Sequence, residues 1–355
     1  MSPVLRGINC GNRAKLPYLI LAFALALVLL YFSLHGLRWN QVWATLSKAK
    51  LRYIGLWIVI GTVSLFLRAV RWRILLRSGG PVDVPTAFWA TAAGYFGNNF
   101  LPARAGELIR TLMVSAKSGL SKMFVFTTAL SERLADAVAL VLISSIVLLT
   151  LPARPGWLAL AARPFAALGI LGILGIALTP HLEWLWRRSI ERAPFPQQMR
   201  ERIDRILDQI TAGLRAFHDR RRLLGFLTLT AVIWFCDAIG MKIGMYALGL
   251  HISISVCYLL ITGLGLGSAL PSTPGYVGIY QFVAVSVLAP FGFSKNNAIA
   301  FILLSQGMQY VGTAMWGLLA LTWARDINLK TMRLDSSERF VSTEAVSTTS
   351  AVPRA

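Results

Sequence analysis

The sequence predicts an all-α polytopic integral membrane protein, with about six full membrane helices plus two Pro/Gly-broken re-entrant hairpins in an inverted repeat. Three observations carry this. Of 355 residues, 56% are hydrophobic and 14% charged, and the mean hydropathy is +0.62, a balance soluble domains do not show. Apolar runs of membrane-spanning length alternate with short basic stretches, as topology determinants do. Two runs are broken alike, GYFGNNFLPARAGELIR at 94–110 and GLGSALPSTPGYVGIYQ at 265–281, each with Leu-Pro and then Gly. Proline lacks the backbone donor and glycine weakens a helix, so each run splits into two short helices around a non-helical turn. Inside a bilayer that turn must be covered by protein or line a wet cavity.

The elements follow in order. Arg6, Arg13 and Lys15 lie in a cytoplasmic N-terminus, 1–15, ahead of an apolar run at 16–34. That run is too long for a signal peptide and lacks a cleavage site, so it reads as the first membrane helix. A polar stretch at 35–52 leads to a second helix at 53–67, closed by Arg68, Arg71, Arg73 and Arg77, which are assigned to the cytoplasm. The first broken segment, 85–115, has basic residues at both ends and so enters and leaves by one face. Runs at 123–151 and 158–179 form an out-and-back pair across a Pro-rich turn.

Ten arginines fall between 180 and 222. Within this stretch Met199, Ile203, Ile206, Ile210, Leu214 and Phe217 share one face of a helix at about 197–222. This basic interfacial helix either binds anionic phospholipid headgroups at the cytoplasmic face or only fixes orientation. The run at 223–250 crosses outward, the second broken segment occupies 252–290, and 298–323 returns. A cytoplasmic tail, 325–355, rich in Ser and Thr from Asp335, is expected to be disordered. The membrane domain is thus 16–324, in halves of about 16–179 and 223–324. On the outer side fall Arg38, Lys48, Lys50, Arg52, Arg154, Arg163 and Lys295, so the loop after the first helix is more basic than the positive-inside rule expects. The broken segments then enter from opposite faces, and paired interruptions of this kind mark a transport site near the midplane.

Helix N-termini at the two breaks favour phosphate or carboxylate. Asn98 and Asn99 precede the first. At the second, Ser272 and Thr273 read as caps, with Pro274 at the first helical position and Gly275 after it. Pro102, Gly106, Pro271, Pro274 and Gly278 are the hinge candidates. The plainer reading is a pair of kinks kept for packing. Arg104 is the first choice for a phosphate ligand and Arg110 the second, unless either pairs with Glu107 or snorkels. SERLAD at 131–136 places Glu132 near mid-bilayer. Arg133 can pair with Asp136 at i,i+3, so one acid needs a further cation or a proton. Asp237 binds a proton or closes an ion pair with Arg133 or Arg104, while Lys242 snorkels.

Cys10, Cys236 and Cys257 are far apart, four histidines are scattered, and GLGLGS at 263–268 has neither a preceding strand nor a following Lys. No metal, cofactor or catalytic motif is expected, and so basic but apolar a chain is not read as binding nucleic acid.

NNFLPARAGELIRTLMVSAKSGLSKMFVFTTALSERLAD, with ALPSTPGYVGIYQ later, resembles the membrane region of the lysylphosphatidylglycerol synthase and flippase family, which includes stand-alone membrane proteins and a hopanoid-biosynthesis-associated branch. The LPxRxGE, ERxxD and PxxPGxxG elements carry the likeness, which covers about 16–323. It implies translocation of a lipid between leaflets, an aminoacylated phospholipid in the relatives. The matching positions are Pro102, Arg104, Gly106, Glu107, Glu132, Arg133, Asp136, Pro271, Pro274, Gly275 and Gly278. Bifunctional members carry a following aminoacyl-transferase domain; this chain stops at Ala355, so aminoacyl transfer is not expected. Where relatives commonly have Glu and Arg, this chain has Gln281 and Gln306, a neutral pair in place of an ionic one.

The leading expectation is therefore a translocase of a phospholipid or other polar-headed lipid in a bacterial inner membrane, with both termini cytoplasmic. The alternatives are an integral-membrane lipid-modifying transferase using Glu132 or Asp136 as base, and a non-transporting partner in a lipid-synthesis complex. A homo-oligomer or a lipid-synthesis enzyme are the protein partners considered.

Overall fold

The structure, a computed structural model, describes residues 24, 27–101, 105–150, 219–268 and 274–349, with scattered positions between 163 and 217 and only the backbone over 325–349. After a helical stretch at 27–34 come α1 (Trp39–Leu46), α2 (Leu51–Leu76), α3 (Val84–Phe100), α4 (Gly106–Ser118), α5 (Lys122–Thr150), α6 (Arg220–Ala247), α7 (Ile254–Gly267), α8 (Ile279–Leu288) and α9 (Lys295–Thr349). The described residues hold helices and no strand, and the molecule is an all-α polytopic membrane protein.

Among the described residues, four helices are long and apolar enough to span a bilayer: α2, α5, α6 and α9 over Lys295–Ala324. At 1.5 Å per residue each exceeds a hydrocarbon core of about 30 Å. α3, α4, α7 and α8 have 17, 13, 14 and 10 residues. At the same rise they reach only about 15–25 Å, so none crosses alone. Their ends carry the expected signals. The Asp83 carboxylate accepts from Thr86 N–H (3.2 Å) at the start of α3, and Ser253 Oγ from Val256 N–H (3.3 Å) at the start of α7.

α2 and α6 run antiparallel along their whole length. Lys50 N–H donates to Ala247 carbonyl (2.9 Å) at one end. Trp57 lies against Gly240 and Gly244, and Gly225 meets Ile74 at the other end. α3 therefore starts where α2 finishes, and α7 starts where α6 finishes, at opposite ends of this pair.

Each short helix folds back on its neighbour, α3 on α4 and α7 on α8. The first hairpin is tight because Gly94 and Gly97 of α3 face Gly106 and Ile109 of α4; a Cβ on Gly106 would run into the Gly94 carbonyl. The second turns on Gly275, Tyr276 and Gly278, with φ of 72°, 63° and 91°. The two tips meet halfway along the spanning part of α9, at Gln306–Thr313.

Three boundaries differ from expectation. α2 continues nine residues beyond Leu67, because Arg68 and Arg71 are paired inside the bundle and do not end it. α8 starts at Ile279 rather than Pro274, since the left-handed residues between them cannot continue a right-handed helix. The backbone of α9 runs helical to Thr349 through the tail expected to be disordered; no Gly or Pro stands between Gly317 and Pro353 to stop it. The membrane helix expected at 158–179 and the basic interfacial helix at 197–222 lie largely outside the described residues, as do Pro102, Arg104, Pro271, Ser272 and Thr273.

Candidate functional site

Among the described residues, a charged and a neutral polar constellation lie in the interior. The charged one is a chain of alternating sign. Asp237 on α6 pairs with Arg68 on α2, and Arg68 reaches Asp136 on α5 (3.8 Å). Arg71 on α2 grips Asp136 through both nitrogens (2.6 and 2.9 Å) and Glu132 Oε1 (2.9 Å). Glu132 Oε2 accepts from Arg110 on α4 (2.5 Å). Arg110 also lies 3.4 Å from Glu107, whose Oε1 accepts from Arg133 on α5 (3.0 Å). Four carboxylates face four guanidiniums.

Aromatic faces complete the packing. Arg110 lies 3.8 Å over the Trp72 ring, Arg71 4.9 Å over Phe226, and Arg68 4.9 Å over Trp234. Planar guanidinium suits this double role of fork and stack. Arg71 is completely buried, and Arg110 and Glu132 are nearly so.

This geometry redirects two expected pairings and realises a third. Arg110 pairs with Glu132 and with Glu107, the partner that stood as the alternative to a phosphate. Arg133 turns to Glu107 and Tyr95 rather than to Asp136; Asp136 is already held by Arg71. Asp237 pairs with Arg68 and accepts from Ser64 Oγ (2.6 Å), in place of the expected pair with Arg133. The further cation that SERLAD demanded is Arg71. As basic residues closing an apolar run, Arg68 and Arg71 read in the sequence as topology residues. Their i,i+3 spacing on an apolar helix, together with three acids in other spans, was the signal that could have found them.

Only the ends of the chain approach the surface: the Arg133 side chain is 34% exposed and that of Asp237 23%. The network joins α2, α4, α5 and α6, so its first effect is to fix the first hairpin. Breaking one member of a buried pair typically costs about 3–5 kcal/mol, since the partner is left uncompensated.

The neutral constellation lies where the tips meet α9. Asn99, in the last turn of α3, donates to Thr313 Oγ1 (2.9 Å) and accepts from Gln309 Nε2 (3.0 Å). At the second tip, Gln306 Nε2 and Tyr310 Oη both donate to the Gly275 carbonyl (3.0 and 2.8 Å). Gln281 Nε2 donates to Gln306 Oε1 (2.5 Å), and Gln281 Oε1 accepts from Gly278 N–H (2.7 Å). Gln281 and Gln306 thus form the neutral pair their residue types imply. Asn98 Oδ1 likewise accepts from Gly106 N–H (3.1 Å), and Asn98 Nδ2 donates to Glu107 (3.3 Å). Side chains of the protein therefore already hold an N–H at or just before the start of both α4 and α8.

The arrangement brings Asn98, Glu107, Arg110, Glu132, Arg133, Asp136 and Asp237 into or beside one network, and Asn99, Gly275, Gln281 and Gln306 into the other. Among the described residues no group of His, Cys, Asp and Glu is placed to hold a metal ion.

The family described as Lysylphosphatidylglycerol synthase TM region matches residues 19–317. The chain is 26% identical over 90% of its length to "Glycosyltransferase AglD" of Haloferax volcanii, and spans 55% of that relative's length. It is 24% identical to the "UPF0104 membrane protein PH1989" of Pyrococcus horikoshii, covering 86% of this chain and 96% of the relative. A "UPF0104 membrane protein" of Methanothermobacter thermautotrophicus is 21% identical, covering 87% and 93%. No solved structure matches.

Proposed function

The chain belongs to the lysylphosphatidylglycerol synthase TM-region family, and from this and the hairpin geometry we propose that it passes a phospholipid or other polar-headed lipid between leaflets. The observation that carries the reading is the meeting of two half-membrane hairpins, entering from opposite ends, at uncharged polar side chains halfway along the spanning part of α9. An unpaired polar group is costly in hydrocarbon, so such a meeting point is where a headgroup can cross.

Magnitudes decide which groups serve the lipid. The charged network is internally neutral and buried, and it anchors. The tips are bridged by neutral hydrogen bonds, each worth about 1 kcal/mol net. A headgroup that supplies its own donors and acceptors can replace those of Asn99, Gln309 and Thr313 as the tips part. Phe100, Val277, Phe282 and Val311 are exposed near the tips, where acyl chains can remain in the bilayer. Arg133, the accessible end of the charged network, is placed to meet a phosphate beside the first tip. The open end of the first hairpin is assigned to the cytoplasm, since Arg73, Arg77, Lys117, Lys122 and Arg220 to Arg222 gather there.

A transferase reading draws on the relative named a glycosyltransferase. It would require Glu132 or Asp136 as base, yet both are buried and salt-bridged to Arg71.

Reconstitution into vesicles with fluorescent phospholipids of several headgroups tests the proposal. Transbilayer movement at least tenfold faster than in protein-free vesicles is expected for at least one class. Movement no faster for any class contradicts it.

A further inference from the structure

The excess positive charge after the first helix is left unexplained by lipid passage. Residues 35–52 carry Arg38, Lys48, Lys50 and Arg52 and no acid, and all four basic residues are exposed. α1 lies within this stretch. Its Val42 is buried and Leu46 half-buried in the main core. Trp39 and Trp43, one turn apart on the adjoining flank, are 54% and 73% exposed.

α1 is fixed in place. Asn296, in the first turn of α9, donates to Gln41 (2.5 Å) and accepts from Arg38 N–H (3.2 Å). Lys295 Nζ donates to the carbonyls of Phe32 and His35 (2.8 and 2.7 Å). The helix therefore lies at the end of the bundle where α2 begins, α6 ends and the second hairpin enters.

Half of its apolar arc is spent on the protein core. The other half is two largely exposed indoles, beside four cations. Indoles favour the headgroup level of a bilayer, and clustered Lys and Arg there attract anionic lipid. A turn of only four residues, 47–50, joins it to the spanning helix α2, which places it at a membrane surface.

We infer that α1 and its flanking cations form a binding surface for anionic phospholipid headgroups at the face where the second hairpin enters. Trp39 and Trp43 seat at the headgroup level against the upper ends of the acyl chains, and Arg38, Lys48, Lys50 and Arg52 hold the phosphates. This rests on the chain's being a membrane protein and not on lipid passage.

The test uses the full chain in nanodiscs of three parts phosphatidylcholine to one part phosphatidylglycerol, with acyl-chain bromines on one lipid or the other at equal mole fraction. Fluorescence of Trp39 and Trp43 is isolated by subtracting a Trp39→Phe/Trp43→Phe variant. Brominated phosphatidylglycerol should quench that signal about twofold more than brominated phosphatidylcholine. Arg38→Gln/Lys48→Gln/Lys50→Gln/Arg52→Gln should remove the preference, while Lys117→Gln/Lys122→Gln, at the opposite end, should retain it. Equal quenching by the two lipids in the unaltered chain, no quenching by either, or a preference surviving the four substitutions overturns the inference. Circular dichroism checks that each variant is folded, and Lys48→Gln alone, expected to give an intermediate preference, provides a minimal change.

Discussion

Arg71 is the residue on which the interior charge depends, because among the described residues it alone bridges two carboxylates of α5. Arg71→Met should destabilise the protein by about 3–5 kcal/mol, read as a lowered unfolding midpoint in detergent. Arg71→Lys should rescue little, since an ammonium cannot bridge both acids in the same fork. Arg77→Ala, at the exposed end of the same helix, should leave the midpoint nearly unchanged. The acids of this network were legible in the sequence, since carboxylates in apolar runs are costly and need partners. Their cations were not, because an arginine near a helix end looks the same whether it faces headgroups or another helix. A second residue-scale expectation concerns the glutamines. Gln281→Glu should cost at least about 2.5–3.5 kcal/mol, the scale for a charge at mid-bilayer. Adding Gln306→Arg should restore most of it, and a double-mutant cycle measures the coupling.

At the scale of elements, the first hairpin is held shut by absent side chains. Gly106→Ala would press a methyl against the Gly94 carbonyl, so the two short helices must separate or the bundle fail to assemble. The expected result is a sharp fall in folded yield, greater than for Gly80→Ala, whose added methyl would meet only a leucine methyl at 3.1 Å. The entry to that hairpin depends on Asp83. Burial pushes its carboxyl up, but the polar groups of Thr86, whose N–H donates to it at 3.2 Å, outweigh this and hold it below the ordinary range. The cap is thus fully effective above the unfolded carboxylate value of about 3.9, and fades as pH falls through the lower folded value. Asp83→Ala should cost about 1 kcal/mol at neutral pH, with the difference from the unaltered chain vanishing in acid. Proline and glycine made both breaks readable. The start of α8 was not, because Gly275, Tyr276 and Gly278 adopt left-handed backbone that a Ser-Thr-Pro cap pattern does not announce.

For the whole molecule, the antiparallel α2–α6 pair sets the geometry: it places the hairpin entrances at opposite ends, and α9 passes both tips. The opposed entry was legible from basic clusters and breaks together. The shared docking on α9 was not, since Asn99, Gln309 and Thr313 are neutral residues of a kind that helices also carry on idle faces. On the proposed function, the division of labour is between a charged half that anchors and a neutral junction that exchanges its hydrogen bonds for those of a lipid. The transbilayer rate of a fluorescent phospholipid in vesicles, for the unaltered chain against Asn99→Leu/Gln309→Leu, tests this most directly. With both proteins folded and equally reconstituted, a loss of at least tenfold in the substituted chain is the predicted result, and an unchanged rate contradicts a crossing at the tips.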